Sequence, residues 1–396
     1  MTSTNTTRPW QEVCSEVQAY RDASIDAIEP ALPALPTELP LNVTSVPATI
    51  LTKEELKITE TLPEDLLHKL AAGEITSTSV TSAFLRRAAI AQKLTNCITE
   101  LLPTHALQRA KELDDYLVKH GKPVGRLHGL PISVKEHVSM KGLDCNASFV
   151  AFVGKVAKDD ALVLKILWEA GAVFYARTTQ PQTIMHLETS SNLYGVTVNP
   201  FNRKLTPGGS SGGEGALIGM RGSCLGIGTD IGGSIRSPAV LSGIFGLKPT
   251  AGRVPVTGME VDALSGADQI AFAAGPMCTS IEGIKVFMKT VIDAQPWRVE
   301  PSLLPIPWRE PRAPFREGKR KVRVAVMRDD GVVRPHPPVT RVLEEVVTRM
   351  QESEKVEVVN WEPYGSEEAW EVIVGPRPTV FRASLPGPEL FTTNIT

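Results

Sequence analysis

Two glycine-rich stretches that lie close together constrain this chain more than any other feature. They read "TPGGSSGGEGALIGM" over residues 206–220 and "CLGIGTDIGGSIRSPA" over residues 224–239. Glycine lets the backbone adopt positive φ and approach a ligand closely, and successive free N–H groups in such a loop can bind an anion. The two stretches therefore predict a site in which backbone groups face a negative charge.

Two kinds of anion fit such loops. A nucleotide phosphate is one, but neither GxxxxGK[ST] nor GxGxxG occurs in these stretches, so it has no specific support. The other is the oxyanion that forms during acyl transfer, for which one backbone donor is worth about 3–4 kcal/mol of barrier. The candidate donors of an oxyanion hole are the N–H groups of Ile231, Gly232, Gly233 and Ser234.

The pattern around Ser210 formally matches the GxSxG of α/β-hydrolases, which would make this serine the nucleophile of a histidine triad. In those enzymes the pattern follows a strand and the histidine comes later in the chain. Here "NRKLTPGG" precedes Ser210, and only His336 follows, between prolines. The S-x-x-K pattern of penicillin-recognising enzymes is also absent. The context therefore argues against both of these enzyme classes.

Lys135 is the candidate base that remains. Alternation along "GLPISVKEHV" places Ser133, Lys135 and His137 on one face of a predicted strand. A lysine acts as a general base only when neutral, so its pKa would have to fall from about 10.4 toward 7 through burial and neighbouring dipoles. Spacing alone does not distinguish such a lysine from a solvated strand lysine.

Helix and strand patterns predict an α/β protein. A helix is expected from Trp10 to about Ile28, followed by a proline-rich arm and a helical layer that extends to about Lys119. Strands are expected at "GLPISVKEHV" and "VFYART", with a helix at "DDALVLKILWEAGA" between them. "KVRVAVM" and "VEVVNW" continue the alternation around another helix. Such alternation predicts a largely parallel or mixed sheet packed against helices.

Composition argues against several other functions. A formal net charge of −2 gives no electrostatic reason to expect nucleic acid or an acidic membrane surface as partner. The N-terminus lacks the apolar core of a secretory signal, and no apolar run reaches the ~18 residues of a membrane span. The five cysteines are scattered without CxxC spacing, which argues against a disulfide framework or a zinc site. We expect a cytoplasmic protein that uses no metal or cofactor and has no membrane anchor.

Residues 209–239 resemble the full-length signature of the amidase signature enzymes. The following "GIFGLKPTAGRVP" and the upstream "LHGLPISVKEHV" are similar to the same family, and "ELKITE" and "VRPHPP" resemble its fungal acetamidase branch. The resemblance covers roughly residues 50–370. It implies a mixed β-sheet core with helices on both faces, formed by residues 51–374. Residues 1–50 would be an N-terminal helix and proline-rich arm, and residues 375–396 an irregular tail.

The resemblance also implies a Ser-cisSer-Lys triad, with Ser234 as nucleophile, Ser210 as bridging serine on a cis peptide and Lys135 as base. Such a triad hydrolyses an amide through an acyl-enzyme, and the branch implies a small acetamide-like substrate that yields a carboxylate and ammonia. Further residues are expected to contribute to the site, either as support or as substrate contacts. The supporting residues are Ser211, Asp230 and Arg236, and the substrate contacts are Met185, His186 and Gly209.

The likeness fades near Glu371, whereas members of the family continue further. We therefore expect the C-terminal part of the fold, which completes the sheet and one wall of the pocket, to be missing. Two alternatives to an active amidase follow from this expectation and from the family. The first is an inactive, truncated amidase-like protein, and the second is an amidotransferase subunit that would need partner subunits. A homo-oligomer is compatible with the sequence.

Overall fold

The computed structural model describes residues 8–36, 38–259, 270–310 and 321–374. The chain groups into two units, residues 1–308 and residues 309–396. The predicted irregular tail at residues 375–396 lies outside the described residues. The predicted domain boundaries at residues 50 and 374 stay predictions.

The first unit begins with helices, as the apolar periodicity predicts. Thr52 caps the second of them in a capping box with Glu55, and Thr76 caps the fourth, so polar side chains bind the free N–H groups at these helix starts. The proline-rich arm after the first helix contains the short 3-10 turn Val46–Thr49. The five helices are α1 (Trp10–Asp26), α2 (Lys53–Glu60), α3 (Pro63–Ala71), α4 (Ser77–Thr95) and α5 (Pro103–His120).

A six-stranded mixed sheet forms the centre of this unit, with the strand order β1-β3-β2-β6-β8-β7. β2 pairs in parallel with both β3 and β6, whereas β1, β7 and β8 pair antiparallel with their neighbours. β4 (Ser190–Ser191) and β5 (Gly195–Val196) form a small separate pair. The strands of the main sheet are β1 (Ile98–Leu101), β2 (Pro131–Lys135), β3 (Val173–Thr178), β6 (Leu225–Asp230), β7 (Phe245–Gly246) and β8 (Ala273–Cys278).

Helices cover this sheet and bury its central strands completely. α4 and α7 pack against β2 and β3, and α9 packs against β8. Every residue of β2, β3, β6 and β8 is buried, which is typical of strands covered on both faces. The mixed sheet within helical layers confirms the predicted fold class. The remaining helices of the unit are α6 (Leu162–Glu169), α7 (Gly212–Gly219), α8 (Arg236–Leu241) and α9 (Ile281–Asp293).

The second unit is a small strand–helix–strand arrangement. Its strands pair in parallel, with Val322 opposite Val356, and form their own two-stranded sheet. Parallel strands need a crossover connection, and α10 supplies it while packing against the second strand. The elements are β9 (Val322–Val326), α10 (Pro337–Gln351), β10 (Val356–Asn360) and α11 (Ser366–Val374). The sequence predicts the first three of these elements.

The described residues also bear on membranes and cysteine chemistry. Over these residues, the longest helices carry too many polar side chains to cross a bilayer. All five cysteines are buried, and none of them forms a disulfide within the described residues. The expected cytoplasmic location stays a prediction.

Candidate active site

The parallel pairing of β2 and β6 brings two loops together at one edge of the sheet. Ser133 lies opposite Gly226 and Val134 opposite Ile227, so the strands end side by side, at Lys135 and Asp230 respectively. Ligand sites of α/β sheets commonly lie at the carboxyl ends of such strands. Ser210 lies just before α7, which packs against both strands. Three separate segments of the chain therefore meet at this edge.

The Lys135 side chain is fully buried and faces hydroxyl groups. Its Nζ lies 2.6 Å from Ser210 Oγ and 3.1 Å from Thr229 Oγ1, and the residue is 0% exposed. Burial lowers the pKa of Lys135 to about 7, although the Asp230 and Glu214 carboxylates act in the opposite direction. Loss of solvation disfavours the ammonium form of a lysine. A substantial fraction of this amine is therefore neutral near pH 7 and can accept a proton.

The loop that carries Ser210 is tied to the loop that carries Ser234. The Gly209–Ser210 peptide bond is cis, and Ser210 and Ser211 are fully buried. The Ser211 N–H donates to the Ser234 carbonyl oxygen at 3.0 Å, and Ser211 Oγ lies 3.3 Å from both the N and the O of Thr229. Ser211 thus holds the two serine loops together, which is a supporting position.

Asp230 organises the turn that leads to Ser234. Its carboxylate accepts hydrogen bonds from the backbone N–H groups of Gly233, Ile235 and Arg236, and a bidentate pair from the Arg236 guanidinium at 3.0 Å. Burial alone would raise the pKa of Asp230, but these donors together lower it to about 2. The carboxylate therefore stays charged and fixes the turn. Ser234 is 7% exposed, which keeps it at the edge of the solvent.

The predicted oxyanion donors differ among themselves. The Gly233 N–H donates to Asp230 Oδ1 at 2.7 Å, so it is directed at that carboxylate. The N–H groups of Ile231, Gly232 and Ser234 have no acceptor within the part of the chain that the structure describes. Ile231 is half-buried and Gly232 is exposed, so these N–H groups are available to a ligand, and N–H donors of this kind stabilise a developing negative charge.

Two of the predicted substrate contacts, Met185 and His186, lie on a segment whose backbone comes close to the third, Gly209. Met185 is half-buried and His186 is exposed, with its Nδ1 accepting a hydrogen bond from the Glu188 N–H at 3.1 Å. A Cβ added to Gly209 would lie 2.7 Å from the His186 carbonyl oxygen, so this position has space only for glycine. The close approach of the His186 backbone therefore explains why residue 209 is a glycine. Substrate contact by Met185, His186 and Gly209 stays a prediction.

Sequence reasoning missed a buried carboxyl group in this region. Glu214, in the first turn of α7, accepts hydrogen bonds from Ser133 Oγ at 2.6 Å and from Thr178 Oγ1 at 2.8 Å. Burial raises the pKa of Glu214 to about 7, against the effect of these donors and of Lys135. A Cβ on Gly226 would lie 1.9 Å from Glu214 Oε2, so that glycine provides the space for the carboxyl group. The signal in the sequence was a lone glutamate among small residues.

Sequence reasoning also missed Thr229, and it placed His137 on the same strand face as Lys135 without assigning it a role. Thr229 Oγ1 lies 3.1 Å from Lys135 Nζ and 2.9 Å from His137 Nε2. Both residues are buried at the same strand ends as the lysine. The described ranges contain no group of three or more His, Cys, Asp or Glu side chains placed to hold a metal ion. An amine within hydrogen-bond distance of two hydroxyl groups can exchange protons with them.

Comparison with known proteins identifies the family. The family model described as Amidase matches residues 79–383. An amidase homologue of Schizosaccharomyces pombe is 46% identical over 92% of this chain and 68% of its own length. An acetamidase of Emericella nidulans is 42% identical over 90% of this chain and 65% of its own length.

A solved structure of a fatty acid amide hydrolase has a similar fold. It superposes with a TM-score of 0.82 at 38% identity, covering 91% of this chain and 65% of that one. The chain thus spans about two thirds of the length of these relatives. The family match, the relatives and the shared fold agree with one another, and this chain belongs to the amidase signature family.

Proposed function

We propose that this protein hydrolyses a carboxylic amide, with Lys135 as base, Ser210 as relay and Ser234 as nucleophile. One observation carries the proposal: a fully buried lysine amine, with its pKa lowered to about 7, lies 2.6 Å from a serine hydroxyl. A solvated lysine has its pKa more than three units higher and would be protonated at neutral pH. The burial of Lys135 supplies the free lone pair that a general base needs.

The proposed reaction proceeds by a relay of protons. Lys135 accepts the Ser210 proton while Ser210 takes the proton of Ser234, and Ser234 Oγ attacks the amide carbonyl carbon. The tetrahedral oxyanion then binds the open N–H groups of Ile231, Gly232 and Ser234. Ser210 then donates its proton to the leaving nitrogen and regains one from Lys135 as the C–N bond breaks, which releases the amine, restores neutral Lys135 and leaves an acyl ester on Ser234. Water hydrolyses that ester with the same groups acting in reverse.

We further propose a small, acetamide-like substrate and a cytoplasmic location. The resemblance to an amidase homologue of Schizosaccharomyces pombe supports the reaction, and the resemblance to an acetamidase of Emericella nidulans supports both the reaction and the substrate size. The products would be a carboxylate and ammonia. Neither alternative that the sequence left open, an inactive product or an amidotransferase subunit, gains support from the comparisons.

Ammonia release from acetamide tests this proposal. We expect the purified protein to release ammonia and Ser234→Ala to lose at least about 10³-fold in kcat, because the nucleophile is gone. Ser15→Ala is the matched control, since this exposed serine of α1 is part of no proposed step. Equal rates in the parent protein and Ser234→Ala would contradict the proposed function. Mass spectrometry of the protein quenched during turnover should show an acetyl group on Ser234.

A further inference from the structure

The hydrogen-bond chain at Lys135 continues beyond the lysine to a buried histidine. Lys135 Nζ lies 3.1 Å from Thr229 Oγ1, and the same oxygen lies 2.9 Å from His137 Nε2. All three residues are buried, and they come from the end of β2, the residues just after it and the end of β6. The Thr229 hydroxyl therefore stands between an amine and an imidazole, with one proton to donate.

The group that accepts the Thr229 proton decides whether the Lys135 lone pair is available for Ser210. A neutral amine has two N–H donors and one lone pair, and a hydroxyl has one donor and two lone pairs. If Thr229 donates to Lys135, it occupies the lone pair that the proposed reaction needs for Ser210. If Thr229 instead donates to His137, its oxygen accepts an N–H of Lys135, and the lysine lone pair is left for Ser210.

We infer that His137 is a positioning residue for the lysine base, because its Nε2 accepts the Thr229 proton and thereby turns the Lys135 lone pair toward Ser210. This inference rests on the proposed function and adds a residue to it. His137 acts through Thr229 and touches neither substrate nor reacting atoms. It requires the neutral tautomer of His137 that carries its proton on Nδ1.

Two variants of His137 separate this role from simple packing. Glutamine places an amide group close to the position of Nε2 and can still accept the Thr229 proton, whereas methionine fills a similar volume without a strong acceptor. We expect His137→Met to lower kcat for acetamide by about 10- to 100-fold, which is less than the largest losses that follow removal of a general base. KM should change less than about twofold. We expect His137→Gln to stay within about threefold of the parent protein.

A double-mutant cycle with Thr229→Val tests whether His137 acts through the hydroxyl. In the Thr229→Val background the proton is absent, so His137→Met should change kcat by less than about threefold. Three results would overturn the inference. These are a His137→Met variant as active as the parent, equal losses in the methionine and glutamine variants, or an undiminished effect of His137→Met in the Thr229→Val background.

Nitrogen NMR of the imidazoles gives an answer that does not depend on turnover. The chain has seven histidines, and the His137→Gln variant identifies the His137 signals by their absence. We expect an unprotonated Nε2 and a protonated Nδ1 near pH 8, with the Nε2 signal shifted in Thr229→Val. A proton on Nε2 would overturn the inference. If the parent protein released no ammonia, the proposed function would fail, while this spectrum would still decide where the His137 proton lies.

Discussion

The end of β2 carries two adjacent buried ionisable residues that lie in opposite surroundings. Lys135 faces the hydroxyls of Ser210 and Thr229, with no carboxylate within salt-bridge distance among the described residues. Glu136 lies beside a cation instead, because its carboxylate is 3.7 Å from the buried Arg177 guanidinium, which opposes the burial that raises the pKa of Glu136 to about 7. The positive charge of Arg177 is balanced by the nearby carboxylates, whereas Lys135 lacks such a partner and has a lowered pKa.

The cluster around Arg177 is built to hold charge. Arg177 contacts Glu100 Oε1 at 2.6 Å and the Asp144 carbonyl oxygen at 2.7 Å, and it also donates to the Glu136 carbonyl oxygen. Glu136 in turn accepts hydrogen bonds from two backbone N–H groups and from Gln180 Nε2 at 2.6 Å. Burial opposes the charge, but the carboxylates raise the pKa of Arg177 above its ordinary value. Burial beside two carboxylates thus keeps the Arg177 guanidinium protonated, whereas burial beside hydroxyl groups lowers the pKa of Lys135.

The largest expected effect comes from replacing Lys135. Lys135→Met keeps the volume of the side chain but removes the base, so kcat for acetamide should fall by at least about 10³-fold. Lys111→Met is the matched control, because Lys111 is exposed on α5 and pairs with Asp115 at the surface. Steady-state ammonia release checks both variants. Retention of a tenth of the activity in Lys135→Met would contradict its role as base.

The next largest effect is a loss of stability on replacing Arg177. Arg177→Met leaves Glu100 and Glu136 buried without their cation, which should lower the free energy of unfolding by about 3–5 kcal/mol. Urea denaturation followed by tryptophan fluorescence measures it. Arg126→Met is the control, because its pair with Asp293 at 3.0 Å is half-exposed and worth at most about 1 kcal/mol. Equal losses in the two variants would show that the buried cluster is not a structural element.

Replacing Lys135 should also have a smaller effect on stability, and this effect is a gain rather than a loss. The pKa of Lys135 falls from its ordinary value of 10.5 to about 7 on folding, so the unfolded chain binds more protons between these two pH values. Stability contributed by this residue is therefore lost as pH falls from above 10.5 toward 7. Lys135→Met avoids that cost, and we expect it to stabilise the protein by about 1–3 kcal/mol at pH 7.

The pH dependence of this gain is its own control. The gain should shrink as pH rises toward 10, because the free energy gained by protonating this amine in the unfolded chain falls as the pH approaches its ordinary pKa of 10.5. Urea denaturation of the parent and Lys135→Met at pH 7 and at pH 9.5 measures the difference. A gain that is the same at both pH values, or a loss at pH 7, would contradict a neutral buried lysine.

Local sequence patterns predicted the elements with strong periodicity. The alternation in "PISVK" indicated β2, and the apolar run of β3 indicated its neighbour. β6 and β8 gave no such signal, because "LGIGTD" and "AAGPMC" are rich in glycine, alanine and proline, which disfavour strands in isolation. These strands form because neighbouring strands and helices bury them completely. The fold class was therefore predictable, but the centre of the sheet was not.

The residues of the site likewise divide into those that the sequence predicts and those that it does not. Resemblance to the family pointed to Lys135, Ser210 and Ser234, and the strand alternation placed Lys135 on a face with Ser133 and His137. Thr229 could not be predicted from its own surroundings, because its contact with the lysine depends on the register of β2 against β6. Glu214 likewise depends on hydroxyls from two other strands. Contacts made across strands are set by tertiary packing and leave no local pattern.

Direct titration of the Lys135 amine tests the central claim. Lysine labelled with ¹⁵N at Nζ and ¹³C at Cε gives one signal that is absent from Lys135→Met, and its chemical shift can be followed from pH 5.5 to 11. The account predicts a midpoint near 7 for that signal, well below the ordinary lysine value. A midpoint for Lys135 near 10.5 would contradict the account, because the amine would then be protonated and unable to accept the Ser210 proton at neutral pH.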